Sequence, residues 1–341
     1  MSVSTLVSVA EPQADEPPRT VRGRAARARA LSRQLAMALL TILLISFISF
    51  FALNHSADQL GKNVLGRQAS RAQLDAFAAS RGLDRPLIVQ YLDWLWHFVR
   101  GDWGTNLAGT QPVKPLVLPA FAHTSELAVI TLVWSVPIAI AVGVAVARRG
   151  GPIDRGLFVV MTVLAALPEF VVGLTVMIAL AVQLRWFPVA SNAIGLGTPA
   201  EQVKAFVLPS LTLGVGVVPY IWRITRASVL ESLSAPYTRA AVLRGLRRHR
   251  VIWRHAFRSA AVPLVNAIAI NIIYLMGGVI IVENVFAVPG LGRLLLAAIA
   301  QGDSHTALAI IVLLGAVFVI LGLLADVVVT YLNPRLRGSA R

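Results

Sequence analysis

The sequence predicts an all-α fold, a bundle of about six transmembrane helices, on three observations. First, 57% of the 341 residues are hydrophobic, only 14% are charged, and the mean hydropathy is +0.73. A soluble domain carries about 25% charged residues. Second, apolar runs long enough to cross about 30 Å of hydrocarbon recur along the chain. Third, basic residues gather in alternate connections between these runs, as the positive-inside rule requires.

The predicted spans follow one another from the N-terminal arginine cluster to the C-terminus. The first, LAMALLTILLISFISFFAL, resembles a signal peptide, but its apolar run of about 19 residues is too long for an ordinary h-region, so we expect a retained helix. Several later spans contain Pro or Gly, which membrane helices tolerate when neighbouring helices satisfy the freed backbone groups. The predicted bounds are 35–53, 127–147, 157–184, 205–222, 260–282 and 306–332.

The distribution of basic residues predicts that both termini lie in the cytoplasm. Roughly two thirds of the 31 lysines and arginines fall in the segments that this orientation places inside. In a soluble protein the net charge of +15 would suggest nucleic-acid binding, but the positive-inside rule explains it more simply here. We therefore expect a multi-pass protein in the lipid bilayer of the cell membrane, with no nucleic-acid partner.

This orientation divides the chain into five regions. They are a basic, partly disordered N-terminal tail in the cytoplasm, the first transmembrane helix, an external segment, a transmembrane core and a cytoplasmic C-terminal tail. Their predicted bounds are 1–34, 35–53, 54–126, 127–332 and 333–341, and the core includes a basic cytoplasmic loop at 223–261.

The sequence contains none of the motifs that would indicate an enzyme. It has no GxxxxGK[ST] phosphate loop, no HExxH zinc motif and no cluster of His, Asp and Glu at metal-ligand spacing. Cysteine is absent, which excludes disulfides, thiolate metal ligands and a thiol nucleophile. We therefore expect no catalytic residue, no metal and no cofactor.

The segment Ser234–Pro263 is a basic, helix-prone stretch between two apolar runs. Pro263 is expected in the first turn of the following span, where a missing N–H is harmless. Ala240, Ala241 and Gly245 form a patch with almost no side chain, on which another protein could approach the backbone closely. Two interpretations stay open, a docking element for a partner protein or a basic amphipathic segment lying on anionic lipid.

Three polar residues within the predicted spans are candidates for a solute pathway. A carboxyl group in mid-span costs roughly 2.5–3.5 kcal/mol on insertion scales, so Glu169 should face protein or water. It could attract a cationic group on a solute, or it could be paired or protonated within the bundle. Asn266 and Asn271 could equally line the pathway or hydrogen-bond between helices.

Several motifs occur in the order and spacing of one known family. GLDRPL and GDWG follow the first span, RRGGPIDR follows the second, LPEF lies in the third, ENVFAVPGLG follows the fifth, and NPRLR comes near the end. On these motifs the chain resembles, from about Leu35 to Arg337, the integral membrane permease subunits of binding-protein-dependent ABC importers. The dipeptide, oligopeptide and nickel permeases are the group it resembles most.

The resemblance implies a type I ABC importer permease, a transport subunit of an ATP-driven importer, with peptides as the expected solute. Nickel or another small solute is the alternative, followed by a secondary transporter that works without an ATPase. The resemblance also implies a set of partners. These are a second permease subunit that is a related but different chain, two cytoplasmic ABC ATPases that hydrolyse the ATP, and an extracytoplasmic solute-binding protein.

The resemblance further implies roles for two sets of residues. The basic loop would insert into a groove on an ATPase, through Tyr237, Arg239, Ala240, Ala241, Gly245, His255 and Pro263. The segment ENVFAVPGLG should turn sharply at the outer surface and help to cap the pathway externally, with a plain structural turn as the alternative. Its candidate residues are Glu283, Phe286, Pro289, Gly290 and Gly292.

Overall fold

A computed structural model describes residues 19–53, 57–80, 82–106, 108–236, 238, 243 and 257–332. Nearly all of this part is helical. It contains no β-strand, only an isolated bridge between Thr105 and Pro112. In chain order the helices are α1 (Arg19–Leu53), α2 (Ala57–Leu65), α3 (Arg71–Ser80), α4 (Leu87–Val99), α5 (Val113–Arg149), α6 (Gly151–Ala166), α7 (Glu169–Val176), α8 (Pro199–Ser234), α9 (Phe257–Phe286), α10 (Leu291–Gln301) and α11 (Ser304–Leu332).

Within the described residues, five helices are long and apolar enough to cross a membrane. They are Ser32–Leu53 of α1, all of α5, all of α8, Pro263–Phe286 of α9 and Ser304–Val328 of α11. The pair formed by α6 and α7, which a π-helical stretch at Met177–Gln183 extends, makes a sixth span if the bent pair is counted as one. The predicted all-α bundle of about six spans is therefore confirmed.

The third predicted span, 157–184, is not one continuous helix. It breaks after Ala166, and the two halves are bent by 103°. Leu167 (ψ 132°) and Pro168 (φ −61°, ψ 137°) are both extended at the break. The proline ring disfavours a helical conformation in the residue before it and offers no N–H to continue the ladder, so the apolar run continues while the helix does not.

Other helices extend beyond their predicted bounds. Helix α5 begins at Val113 rather than at residue 127, and α8 begins at a capping box in which Thr198 and Glu201 satisfy each other's backbone N–H groups. Helix α9 begins at Phe257, so Pro263 lies in the helix interior and the first-turn placement expected for it is wrong. An apolar window locates the membrane-crossing part of a helix but not the further turns that continue it.

The core is built around α8, which packs most extensively against α5 and then against α9. Its buried face carries Leu213, Val217, Ile221 and Trp222. Gly143 of α5 allows the close approach, because a Cβ there would lie 2.9 Å from the Cβ of Thr225. Helix α6, in contrast, buries none of its residues within the chain. One flank of the bundle is thus left uncovered.

The N-terminal span is held by the outer helices rather than by this core. Helix α1 packs on α11 and also meets α4. The Ser46 hydroxyl lies 2.9 Å from the Tyr91 hydroxyl, and a run of aromatic rings continues from Tyr91 through Trp94 and Phe98 to Trp103. This contact ties the first span to the segment that follows it.

Candidate functional site

The break in the third span sets the position of Glu169, which is the first residue of α7. Its side chain lies between α8 and α9, beside two glycines. A Cβ on Gly216 would lie 3.5 Å from a carboxyl oxygen, and a Cβ on Gly278 would lie 2.5 Å from both oxygens. The Tyr274 side chain forms a hydrogen bond with the same carboxyl group. The half-buried glutamate therefore occupies space that two glycines leave free.

A cavity of about 420 Å³ opens next to this junction, between α6, α8 and α9. Its lining combines apolar rings and aliphatic groups with the side chains of Asn271, Tyr274 and Arg223. Asn271 is almost fully buried and donates through Nδ2 to the carbonyl of Ala267 at 2.9 Å. Asn271, one of the predicted pathway residues, thus lines the cavity, and Glu169 lies beside it through its hydrogen bond with Tyr274.

The third pathway candidate lies on an uncovered face of α9. Asn266 is exposed, and further exposed residues follow it along the helix at intervals of three or four positions. Because residues at that spacing share one face of a helix, they form a single stripe. The stripe comprises Asn266, Ile270, Tyr274, Gly277, Ile281 and Asn284. The stripe and helix α6 together form an exposed flank of the bundle, and the cavity opens on this flank.

The turn between α9 and α10 is built around the carboxyl group of Glu283, which is fully buried. Thr124 of α5 donates to one carboxyl oxygen at 2.5 Å. The backbone N–H groups of Gly292 and Arg293 donate to the other, at 2.6 and 3.2 Å. The Leu291 N–H donates to the Thr124 hydroxyl at 2.8 Å. One glutamate therefore satisfies the N-terminal N–H groups of α10 and ties that helix to α5 and α9.

The remaining residues of the turn pack around this carboxyl group. Phe286 is 1% exposed, and its carbonyl accepts from the N–H of Ser191 at 2.8 Å. A Cβ on Gly290 would collide with the Glu283 carboxyl group, and one on Gly292 would collide with the Ile280 backbone. Half-buried Pro289 completes the turn. The five residues predicted from sequence thus meet in one structural unit.

The predicted docking residues lie almost entirely outside the described residues. Tyr237, Arg239, Ala240, Ala241, Gly245 and His255 are all in this group. Pro263 is described, and it is exposed on α9. On the side of α8 that leads to this segment, the Arg226 guanidinium donates from two nitrogens to both carboxyl oxygens of Asp154. This bidentate pair joins the first turn of α6 to α8.

The sequence interpretation missed four residues that build these two clusters. Tyr274 and Gly278 position Glu169, Thr124 positions Glu283, and Arg223 lines the cavity. The adjacent glycines at 277 and 278 within an apolar run were the available signal, because glycine in a membrane helix often marks a close approach. Thr124 carried no signal, since its partner is 159 residues away in the sequence.

No group of three or more His, Asp or Glu side chains in the described part of the chain is placed to hold a metal ion. The polar clusters instead offer hydrogen-bond donors and acceptors, the carboxyl groups of Glu169 and Glu283, and the guanidinium group of Arg223. Such an arrangement can bind and pass a polar solute, but it does not assemble a nucleophile with a base.

The chain matches two family models. Residues 116–338 match the family described as binding-protein-dependent transport system inner membrane component, and residues 28–142 match the N-terminal part of such membrane components. A probable peptide ABC transporter permease from Sinorhizobium fredii is 32% identical over 89% of this chain and 98% of its own length. A glutathione transport system permease from Pectobacterium atrosepticum is 31% identical, over 87% of this chain and 95% of its own length.

Among solved structures, the MetNI methionine ABC transporter in an inward-facing conformation is similar at 21% identity with a TM-score of 0.48, covering 71% of this chain and 98% of that chain.

The first family model covers well over half of the chain, and the relatives align over nearly all of it. ABC permeases work in general with an ATPase and a binding protein. The chain therefore belongs to the family of inner membrane components of binding-protein-dependent transport systems, and it is a multi-pass transport subunit rather than an enzyme.

Proposed function

We propose that the chain is one of two membrane-spanning subunits of an ATP-driven importer of short peptides. The single observation that carries this proposal is the cavity beside Glu169, where polar side chains gather between helices long enough to cross a membrane. Ionisable groups inside membrane spans are costly and usually line solute pathways or water-filled cavities. Two relatives that align with most of this chain are named as a peptide permease and a glutathione permease. Their names support peptides as the solute.

In this proposal the uncovered flank formed by α6 and α9 faces the second permease subunit, which is a related but different chain. The pathway then runs between the two subunits, with Glu169, Asn266 and Asn271 on this chain's side. An extracytoplasmic binding protein delivers the peptide to the outer face. Two cytoplasmic ATPases drive the switch between outward-open and inward-open states, which requires that their contacts with the permeases differ between the states.

The basic loop at 223–261 provides the contact with an ATPase in this proposal. Gly245 with Ala240 and Ala241 gives a surface of small side chains, and the surrounding arginines orient it. We expect Gly245→Asp to abolish peptide-stimulated ATP hydrolysis while membrane insertion stays normal. Ala72→Asp is the matched control, because it adds the same carboxyl group at an exposed position of α3, outside the spans and the docking loop. Unchanged ATP-driven uptake in Gly245→Asp would refute the docking role and favour a loop that lies on lipid.

The orientation can be tested directly because the chain has no cysteine. We propose that both termini are cytoplasmic, that 54–126 is external and that 333–341 returns to the cytoplasm. A membrane-impermeant thiol reagent should then label Gln68→Cys in intact cells. It should label Arg149→Cys only after the membrane is opened. The reverse pattern would exclude the docking loop from the cytoplasm, and with it the proposed contact with the ATPases.

The turn around Glu283, Phe286, Pro289, Gly290 and Gly292 acts in this proposal as the external cap of the pathway. Its buried hydrogen bonds hold α10 against α5 and α9 as one body. A rigid cap can close and reopen without local unfolding. A plain structural turn is the alternative. In that case, variants of this cluster should lose stability and transport in parallel, and a variant that remains stable should keep its transport.

The decisive experiment is reconstitution in proteoliposomes with the partner permease, the ATPases and the binding protein. We expect ATP-dependent, vanadate-sensitive accumulation of trialanine that requires every subunit. Nickel uptake without peptide uptake would replace the proposed solute. Gradient-driven, vanadate-insensitive uptake by this chain alone would replace the proposed mechanism with that of a secondary transporter.

A further inference from the structure

The cavity between α6, α8 and α9 has the carboxyl group of Glu169 beside one end and the guanidinium group of Arg223 at the other. At one end the Glu169 carboxyl group touches the lining through Gly216 and through its hydrogen bond with Tyr274. At the other end Arg223 is exposed, with its guanidinium carbon 5.7 Å from the centre of the Tyr220 ring. No described residue forms an ion pair with either group. Each end can therefore accept a charged group from a ligand.

The spacing of the two ends suits a short peptide. Gly216 and Arg223 lie on the same face of α8, two helical turns apart, which is about 10 Å at 1.5 Å per residue. An extended peptide advances about 3.3–3.6 Å per residue, so about three residues span this distance. The volume of about 420 Å³ lies in the range of small-molecule sites, roughly 300–1,000 Å³.

The wall between the two ends offers partners for a peptide backbone. Trp222 lines the cavity and contributes part of its aromatic wall. Asn271 uses its side-chain N–H on Ala267, which leaves its side-chain oxygen for a ligand N–H. Phe158 and Ile270 add apolar surface for peptide side chains.

We propose that this cavity is a peptide subsite that binds both ends of a tripeptide-sized ligand. Glu169 binds the α-ammonium group and Arg223 binds the α-carboxylate, so the site selects peptides whose two termini are free. This inference rests on the proposed function, because it assigns the solute class to a site on the pathway. A phosphatidylethanolamine headgroup also carries both charges, but only two carbons and the ester oxygen separate its ammonium from its phosphate, which is too short to bridge two helical turns.

The test uses the purified importer without its binding protein, so that any selectivity measured belongs to the membrane subunits. The probe is a tripeptide, alanyl-benzoylphenylalanyl-alanine, whose central ring crosslinks to its surroundings on illumination. We expect labelling of α6 and α9 near Thr162 and Ile270. Acetylating the amino terminus or amidating the carboxyl terminus should each reduce labelling about tenfold, since each removes a charge-assisted hydrogen bond.

The variants assign each terminus to its residue. Labelling of Glu169→Gln should no longer respond to acetylation, and labelling of Arg223→Gln should no longer respond to amidation. Asp75→Asn and Arg67→Gln remove exposed charges elsewhere and should behave as the wild type. Labelling that is absent, that falls outside the cavity, or that responds equally to both blocking groups in all variants would overturn the inference.

Two further measurements keep the result interpretable. If Glu169→Gln or Arg223→Gln fails to assemble, Tyr274→Phe should weaken only the response to acetylation, whereas Arg223→Lys should keep the response to amidation. Uptake of trialanine by the complete wild-type importer is measured in parallel. Uptake without cavity labelling overturns the subsite alone, whereas absence of any peptide uptake overturns the proposed function itself.

Discussion

The buried hydroxyl of Thr124 should be one of the most consequential small groups in the molecule. It donates to Glu283 and accepts from the N–H of Leu291, at 2.5 and 2.8 Å. Thr124→Val keeps the side-chain shape but removes both hydrogen bonds. It leaves a buried N–H without an acceptor, at a cost of about 1–3 kcal/mol, and loses a bond with a net contribution of about 1 kcal/mol. We therefore expect a destabilisation of about 2–4 kcal/mol.

Thr131→Val is the matched control on the same helix. Thr131 is equally buried, but its hydroxyl only donates to the carbonyl of Leu127 four residues earlier, and that carbonyl keeps its helical partner. Its loss should cost less than about 1 kcal/mol. Thermal unfolding of the purified importer in detergent measures both variants. Equal melting temperatures for the two valine variants would refute the idea that the Glu283 cluster holds the turn between α9 and α10.

The same cluster predicts an order among substitutions at position 283. Glu283→Ala leaves the N–H groups of Gly292 and Arg293 without their acceptor and opens a cavity, so it should destabilise the protein by about 3–5 kcal/mol. Glu283→Gln can keep one oxygen toward those groups and should cost less. The order Ala, then Gln, then wild type, from lowest to highest, is expected in the melting temperature.

Three further substitutions test other contacts. Gly278→Ala places a methyl group against the carboxyl group at the helix break and should reduce uptake on the order of tenfold, whereas Gly322→Ala on α11, with open space around it, should not. Asp154→Asn weakens the bidentate pair with Arg226 and should cost about 1 kcal/mol, because the pair is partly exposed; a double-mutant cycle on melting temperatures measures the coupling. Gly143→Ala crowds the contact between α5 and α8 and should lower the melting temperature by the equivalent of about 1–3 kcal/mol; an unchanged value would contradict the close packing there.

Composition and motif order were enough to predict the fold class, because a span needs only enough apolar residues to cross the bilayer. The turn between α9 and α10 was also predictable, since Pro289 and Gly290 mark it locally. Glu169 attracted attention because charge is rare in a span. The fold class, this turn and Glu169 were all predictable from composition or from residues that are neighbours in the sequence.

The rest depended on contacts between distant parts of the chain. The apolar pattern runs on through Leu167 and Pro168, so hydropathy alone could not reveal the sharp bend there. The partnership between Thr124 and Glu283 joins residues on different helices, and either residue alone looks ordinary for its position. The early start of α5 was hidden because Pro115 and Pro119 interrupt its first turns, and a proline within a run is usually taken as the end of a helix.

The bend after Ala166 has a consequence for the lipid around the protein. Where a helix stops, its last carbonyls and the first N–H groups of the next helix lose their intrahelical partners. Acyl chains cannot hydrogen-bond to those groups, so lipid is a poor neighbour for this part of the chain. Water must therefore solvate these groups, or a second polypeptide must cover them. The bend thus marks the side of the protein from which annular lipid is excluded.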